Sequence, residues 1–310
     1  MTHQRFEGTR RDFLVAAGLA ACGLPGCASW PARGADGQTL RIVFFSHVLA
    51  RTEWQTPAAM AQAAAAINAR NPELVVAGGD LITDGFQSQS AAVEPRWRAY
   101  LEMHRALDAR VEPALGNHDL VAADPDDGSP ASPDPRAEFR EHFGLTRTYR
   151  SFDVSGYHFI LLDSIVVSTD ELRYHGRIDD SQLAWLERDL ATVEPETPIV
   201  AATHIPLLTS FYQATEGATA AASANRVVGN NREVLELFDD HNLLLVLQGH
   251  LHVEEMLRWR GTTFITGGAV CGKWWRGAWH GTPEGFGVLT LRPDRVDWEY
   301  VTYGWVAQRP

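Results

Sequence analysis

Apolar residues fall along this chain in short β-branched runs separated by stretches with helical spacing. Leu40 to Phe45 reads as a strand, and Thr56-Pro57 supplies a cap and a proline at the first helical position. Met60, Ala63, Ala64 and Ile67 then recur on one helical face. Leu74 to Ala77 is a buried strand, Pro95 opens a helix with Trp97, Tyr100, Leu101, His104 and Leu107 on one stripe, and Glu112 to Leu115 is a further strand. From Asp119 to Arg136 five aspartates and four prolines interrupt any periodicity, which predicts a long exposed loop. Thr148 to Val154 and His158 to Leu162 form a hairpin about Ser155-Gly156. A helix capped by Asp180 or Ser181 follows, with Leu183, Leu186, Leu190 and Val193 on its stripe.

Pro198 to Thr203 and Leu243 to Gln248 are core strands. An Ala/Thr-rich excursion and a helix with Asn230 and Glu233 at capping-box spacing lie between them. Beyond Val253 the chain is mostly strand and turn, ending in Phe286 to Leu291 and Arg295 to Val301. The recurring β-α-β order without an internal repeat predicts one α/β domain from residue 38 to 310, with a sheet-on-sheet core and helices outside.

The first thirty residues have another character. Thr9-Arg10-Arg11-Asp12-Phe13-Leu14 leads into an apolar run from Phe13 to Leu24, too short to span a bilayer and suited to a signal segment. The paired arginines resemble a bacterial twin-arginine export signal. Leu24-Pro25-Gly26-Cys27 is similar to a lipoprotein cleavage box, which makes Cys27 a candidate lipid anchor. A periplasmic or extracellular location is therefore expected. Of the three cysteines, Cys22 and Cys27 lie in this segment, so Cys271 alone remains in the body and no disulfide framework can support the fold.

An apolar content of 45% over 310 residues excludes disorder and small disulfide scaffolds. The formal charge of −12 opposes nonspecific nucleic-acid or anionic-membrane binding, so no nucleic-acid partner is expected. An acidic protein that handles phosphate needs a local cation. Polar clusters sit just after predicted strands, where α/β sheets present their ligand crevice: Ser46-His47, Gly78-Gly79-Asp80, Gly116-Asn117-His118-Asp119, Thr203-His204 and Gly249-His250-Leu251-His252. Their side chains are hard-to-borderline metal ligands, and together they predict a metal site.

The runs Gly79-Asp80-Leu81-Ile82-Thr83-Asp84, Gly116 to Asp119, His204, and Gly249 to His252 resemble, in order and spacing, motifs of the calcineurin-like metallophosphoesterases. The resemblance spans residues 41 to 252. It implies a β-sandwich flanked by helices with metal ions at one end, acting on a small phosphorylated substrate. Carried over, Asp80 bridges the ions, Asn117, His204 and His250 complete the second site, and His252 serves the first. His118 donates a proton to the leaving oxygen, with Asp119 orienting it. The first motif departs from the family pattern. Where members carry Asp-x-His, this chain has His47 and Leu49. Leu49 cannot bind and His47 is a donor of different shape, so the first site is expected to be weakened or empty unless His47 restores it. Fe, Mn and Zn, as one or two ions, all suit the donor set.

The Gly-rich run from Gly267 to Arg276, with Trp274, Trp275 and flanking cations, is a candidate rim that could stack a base or sugar. The loop after Asp119 and the excursion from Pro206 to Arg226 are others. Arg51 is a candidate substitute cation, and Cys271 reads as a buried small residue. Two rival functions are a noncatalytic descendant that binds metal or a phosphorylated ligand, and a structural surface lipoprotein. The sequence leaves the oligomeric state open.

Overall fold

The computed structural model describes residues 39–308, so the twin-arginine-like segment, Cys22 and Cys27 lie outside the described residues. In chain order the elements are β1 (Leu40–Phe45), α1 (Thr56–Asn68), β2 (Leu74–Ala77), α2 (Ser90–Arg105) and β3 (Arg110–Pro113). A single 3-10 turn (Asn117–Asp119), α3 (Ala137–Phe143), β4 (Arg150–Val154), β5 (Tyr157–Leu162), β6 (Ile165–Val167) and β7 (Tyr174–Gly176) follow. The chain continues with α4 (Asp180–Leu190), β8 (Ile199–Thr203), α5 (Phe211–Glu216), α6 (Asn231–Glu236) and β9 (Leu243–Gln248). It ends with β10 (Glu254–Trp259), β11 (Thr262–Gly267), β12 (Gly285–Arg292) and β13 (Arg295–Thr302).

Two sheets carry the fold. One has the order β13-β12-β1-β2-β3 and the other β10-β11-β9-β8-β5-β4; β6 and β7 form a separate ribbon. The period of two along β1 shows why both faces of its strand are apolar. Leu40, Ile42 and Phe44 enter a core shared with Phe159, Val200, Leu245 and Ile265 of the opposite sheet. Val43 and Phe45 face the other way, into a core that includes Met60, Ile67 and Trp97 from the helices. The result is an α/β sandwich flanked by helices, as the strand and helix patterning predicts.

β1, β2 and β3 run parallel, in register from Ile42↔Leu74 and Leu74↔Arg110. β5, β8 and β9 are parallel in the second sheet. The carboxyl ends of these strands therefore open toward the loops that carry the polar motifs.

Several local expectations need correction. The helix expected to open at Pro95 begins at Ser90 and holds Pro95 inside it. Burial of Val93, one turn ahead of Trp97, rewards the extension and offsets the hydrogen bond that proline removes. The cap of α4 is Asp179, whose carboxylate accepts from Gln182 N–H at 2.9 Å, rather than Asp180 or Ser181. β3 lies two residues earlier than predicted, over Arg110–Pro113, which frees Ala114 to Gly116 for the turn into the site. No helix among the described residues is long and apolar enough to cross a membrane.

One ion-pair network at the sheet edge has a measurable pH signature. His158 donates from Nδ1 to Asp153 at 2.7 Å and from Nε2 to Asp189 at 3.0 Å. Burial pushes its imidazole down, but Asp189 and Asp153 outweigh burial and leave it above the ordinary histidine value. The associated stabilisation is full below the unfolded value of about 6.5 and is lost as pH rises through the folded one. His158→Gln is expected to cost on the order of 1 kcal/mol in urea melts at pH 5.5 and less at pH 9. An equal cost at both pH values would exclude the imidazolium.

Candidate metal centre

The polar loops converge because short backbone bonds lace them together. His47 N–H donates to Gly79 O at 3.0 Å and Leu49 N–H to Asp80 O at 2.9 Å, while Cys271 N–H donates to His47 O at 3.0 Å. The segment after β1 is thus held between the loop after β2 and the Gly-rich run. Such close lacing demands unusual backbone. His47, Leu49, Asp80, His250 and His252 all have positive φ, between 43° and 68°. For residues with a Cβ this conformation costs about 1–2 kcal/mol each and persists only where the surroundings enforce it. Gly116 is required by proximity: a Cβ there would overlap the Asp80 amide nitrogen and Oδ1. Gly116→Ala is expected to displace Asp80 and destabilise the fold by about 3 kcal/mol, with loss of metal retention. Thermal melts and metal content of the variant check this.

Four donors meet. His47, Asp80, His204 and His250 each present one ligand atom, all within 4.8 Å of one another, and all four are buried. His47 Nε2 lies 3.5 Å from Asp80 Oδ2, and His204 Nε2 lies 3.3 Å from Asp80 Oδ1. His250 Nδ1 is 3.2 Å from His204 Nε2.

The hydrogen bonds assign the tautomers. Ser46 donates its hydroxyl to Gly268 O at 3.0 Å, so its Oγ accepts from His47 Nδ1 at 2.7 Å and leaves His47 Nε2 with a lone pair. His204 donates from Nδ1 to Gly78 O at 2.8 Å, which turns its Nε2 toward Asp80 and His250.

Among the predicted ligands, two buried atoms, His47 Nε2 and Asn117 Oδ1, have no hydrogen-bond partner. Orphaned acceptors of this kind are costly unless a cation or solvent satisfies them. Both belong to predicted ligands, and the donor set of imidazole nitrogens, a carboxylate and an amide oxygen fits a borderline divalent ion.

The electrostatics set one anionic carboxylate among imidazoles that respond to it differently. Burial pushes the Asp80 carboxyl up, but His204, His118 and His47 together hold it well below the usual carboxylate range. Burial, then His252, drives His47 well below the ordinary histidine value, and burial with His204 and Arg226 does the same to His250. Burial lowers His204 too, but Asp80 outweighs it and raises this imidazole.

His252 stands beside the foursome. Its ring lies tilted at 4.0 Å from the His47 ring and stacks at 4.3 Å on Trp274, and its Nδ1 donates to Gly272 O at 2.6 Å. Burial brings it to about 4.

His118 is half-buried. Its backbone N–H donates to Asp80 Oδ1 at 2.9 Å, and its ring Nδ1 accepts from Asp84 N–H at 3.1 Å. That bond puts the ring proton on Nε2. Asp119 does not orient this ring as the resemblance implied. Its carboxylate accepts from the backbone N–H groups of Leu81 at 2.7 Å, Ile82 at 3.1 Å and Gly116 at 2.8 Å. It fastens the Asp80 loop to the Gly116 loop. Burial and the Asp80 charge push its carboxyl up to about 7 against those three bonds.

Around the centre, a cleft of about 520 Å³ is lined by Phe211, Tyr212, Arg226, His250, Trp274 and Trp279, among others. Arg226 Nη1 reaches 3.4 Å from His250 Nε2. A larger cavity of about 670 Å³, bordered by Asn231, Arg232 and Trp259, shares no residue with the centre. The two adjacent tryptophans of the Gly-rich run separate. Trp275 is buried and donates from Nε1 to Leu49 O at 3.2 Å, whereas Trp274 faces His252 and the cleft. Cys271 is a fully buried free thiol pushed up by burial. Arg51 is held by Thr83 at 3.2 Å and by the Trp54 ring at 4.4 Å, with Asp84 at 4.0 Å.

Asp84, Arg226 and Ser46 act at the site without having been singled out for these contacts. Asp84 works through its backbone N–H, which no side-chain motif announces.

A sandwich with histidines and a carboxylate gathered at the ends of its parallel strands defines a metallophosphoesterase-type protein. The sequence profile of the calcineurin-like phosphoesterases matches residues 41–254, and the chain belongs to that family. Among solved structures the fold is similar to a dimetal phosphatase from Danio rerio, with 16% identity and a TM-score of 0.58 over 86% of this chain and 99% of that one. It is also similar to a purple acid phosphatase from yellow lupin seeds, with 14% identity and a TM-score of 0.55 over 88% of this chain and 52% of that one. A third is GAP50, the anchor in the inner membrane complex of Plasmodium, with 16% identity and a TM-score of 0.52 over 86% and 85%. At such identities the likeness is one of fold. No curated protein matches the sequence.

Proposed function

We propose that this protein is an exported, metal-dependent phosphoesterase that hydrolyses a small phosphomonoester or phosphodiester. The observation that carries the reading is the approach of His47, Asp80, His204 and His250 to within 4.8 Å of one another, with the backbone N–H of His118 donating to the same carboxylate. A bound divalent ion supplies Lewis-acid polarisation of a phosphoryl oxygen and a lowered pKa for a water at that position. His118 holds a proton on Nε2, the atom suited to protonate a leaving oxygen, because Asp84 N–H occupies its Nδ1. Arg226 brings a positive charge to the cleft, where it can pair a phosphate oxygen. Trp274, Trp279, Phe211 and Tyr212 offer apolar faces for the remainder of the ester. Export rests on the paired arginines and the apolar run of the first thirty residues.

The test is hydrolysis of an aryl phosphate monoester and a bis-aryl diester by protein stripped with chelator and then reloaded. Turnover that disappears on stripping and returns with the ion supports the reading. Turnover by metal-free protein overturns it. The departure at His47 and Leu49 favours one second reading, a descendant that binds metal or a phosphorylated ligand without turnover. Stable metal binding with no hydrolysis of either ester would establish that reading instead.

A further inference from the structure

We propose that the centre is mononuclear: His47 has been recruited with Asp80, His204 and His250 into one four-donor site, and no second ion is held beside it. The inference rests on the metallophosphoesterase reading above and departs from the pair of ions that the family resemblance implies.

The clustering of the donors and the loss of one expected ligand set the nuclearity. A four-coordinate ion with ligands at about 2.0–2.2 Å has ligand atoms about 3.3–3.6 Å apart. Here His47 Nε2 lies 3.5 Å from Asp80 Oδ2, His204 Nε2 lies 3.3 Å from Asp80 Oδ1, and His250 Nδ1 lies 3.2 Å from His204 Nε2, so a single ion would take both oxygens of the Asp80 carboxylate. Two ions about 3.5–4 Å apart need donors spread well beyond the span of one coordination shell. One ligand atom from each of the four lies within 4.8 Å of the others, and His47 Nε2 is buried, without a hydrogen-bond partner and turned toward Asp80. Asn117 Oδ1, also buried and unpartnered, is available as a further donor.

A donor that the resemblance assigns to a second ion is missing. Leu49 is fully buried in the apolar core, with its N–H on Asp80 O and its carbonyl accepting from Trp275 Nε1. It offers no side-chain donor where the resemblance calls for a histidine. His252 lies tilted against His47 and stacked on Trp274.

Charge works in the same direction. Of the four converging donors only Asp80 is anionic, and the Arg226 guanidinium already stands 3.4 Å from His250 Nε2. One divalent cation against one carboxylate leaves a modest positive excess, whereas two would leave a large one with a guanidinium adjacent. Three imidazoles and one carboxylate favour a borderline ion such as Zn(II) or Co(II) over Mg(II) or Ca(II).

The experiment is reconstitution of the stripped full chain with Co(II), read by elemental analysis after gel filtration and by electron paramagnetic resonance. We expect one ion per chain with the signal of a magnetically isolated Co(II). His47→Gln, which keeps most of the side-chain volume, should weaken Co(II) retention by about 100-fold or more, with folding followed by circular dichroism. The double variant His47→Asp with Leu49→His should take up a second ion. Two exchange-coupled ions in the unaltered chain would overturn the proposal and leave the phosphoesterase reading standing. Unchanged affinity in folded His47→Gln would overturn the role of His47. A double variant that still binds one ion would overturn the claim that these two positions exclude the second. No retained ion in the unaltered chain would overturn both the proposal and the reading beneath it.

Discussion

Asp80→Asn is expected to abolish stable metal retention and to reduce phosphoester hydrolysis by on the order of 10³-fold or more, the loss that follows when a preorganised charge at a phosphoryl centre is removed. Asp80 is the only carboxylate among the four converging donors. The substitution isolates charge from structure. Asparagine tolerates the left-handed backbone at this position, where φ is 56°, better than other side chains do. Its amide oxygen can still accept the His118 N–H that Asp80 Oδ1 accepts at 2.9 Å. The folded variant should therefore retain its secondary structure and melt cooperatively while losing its ion. Elemental analysis and initial rates on an aryl phosphate check both halves. A variant that retains its ion and its rate would show that the carboxylate does not anchor the centre.

His118→Ala is expected to lower kcat by about 10²–10⁴-fold while metal content stays at the unaltered level. Its ring is absent from the four-donor cluster, and its Nε2 carries the proton because Asp84 N–H is bonded to Nδ1. The two variants are meant to be compared. Loss of rate with loss of metal marks a ligand, and loss of rate with the ion in place marks a group that handles the leaving oxygen. Truncation also strands the Asp84 N–H, so a stability cost of about 1 kcal/mol is expected in melts. If kcat stays within about threefold of the unaltered protein, His118 is not the acid.

The sheets were legible because burial on both faces writes itself into the strands. Leu40 to Phe45 is apolar but for the exposed Arg41 and Leu243 to Gln248 but for Gln248, and both strands occupy the interiors of their sheets. Short elements carried no comparable signal. β6, β7 and α5 span three to six residues each, and α5 buries none of its side chains, so no periodicity could betray them. Pro95 misled for a definite reason: its local preference for a helix start is outweighed by Val93, buried one turn earlier.

At the site, spacing after strand ends was enough to nominate His47, Asp80, Asn117, His204, His250 and His252. It could not say which of them meet. The approach of His47 to Asp80 depends on Ser46 bonded to Gly268, a residue 222 positions away. The separation of Asp119 from the His118 ring depends on three backbone amides on two different loops. Such links join residues far apart in the chain, and no local pattern encodes them.

The most direct measurement is anomalous diffraction from a crystal of the reconstituted protein, collected at the absorption edge of the loaded ion. A single strong peak within about 2.0–2.3 Å of His47 Nε2, an Asp80 oxygen, His204 Nε2 and His250 Nδ1 is expected. A peak that bypasses these atoms, or none from a chain shown to be folded, would contradict the metal centre and the hydrolytic function built on it.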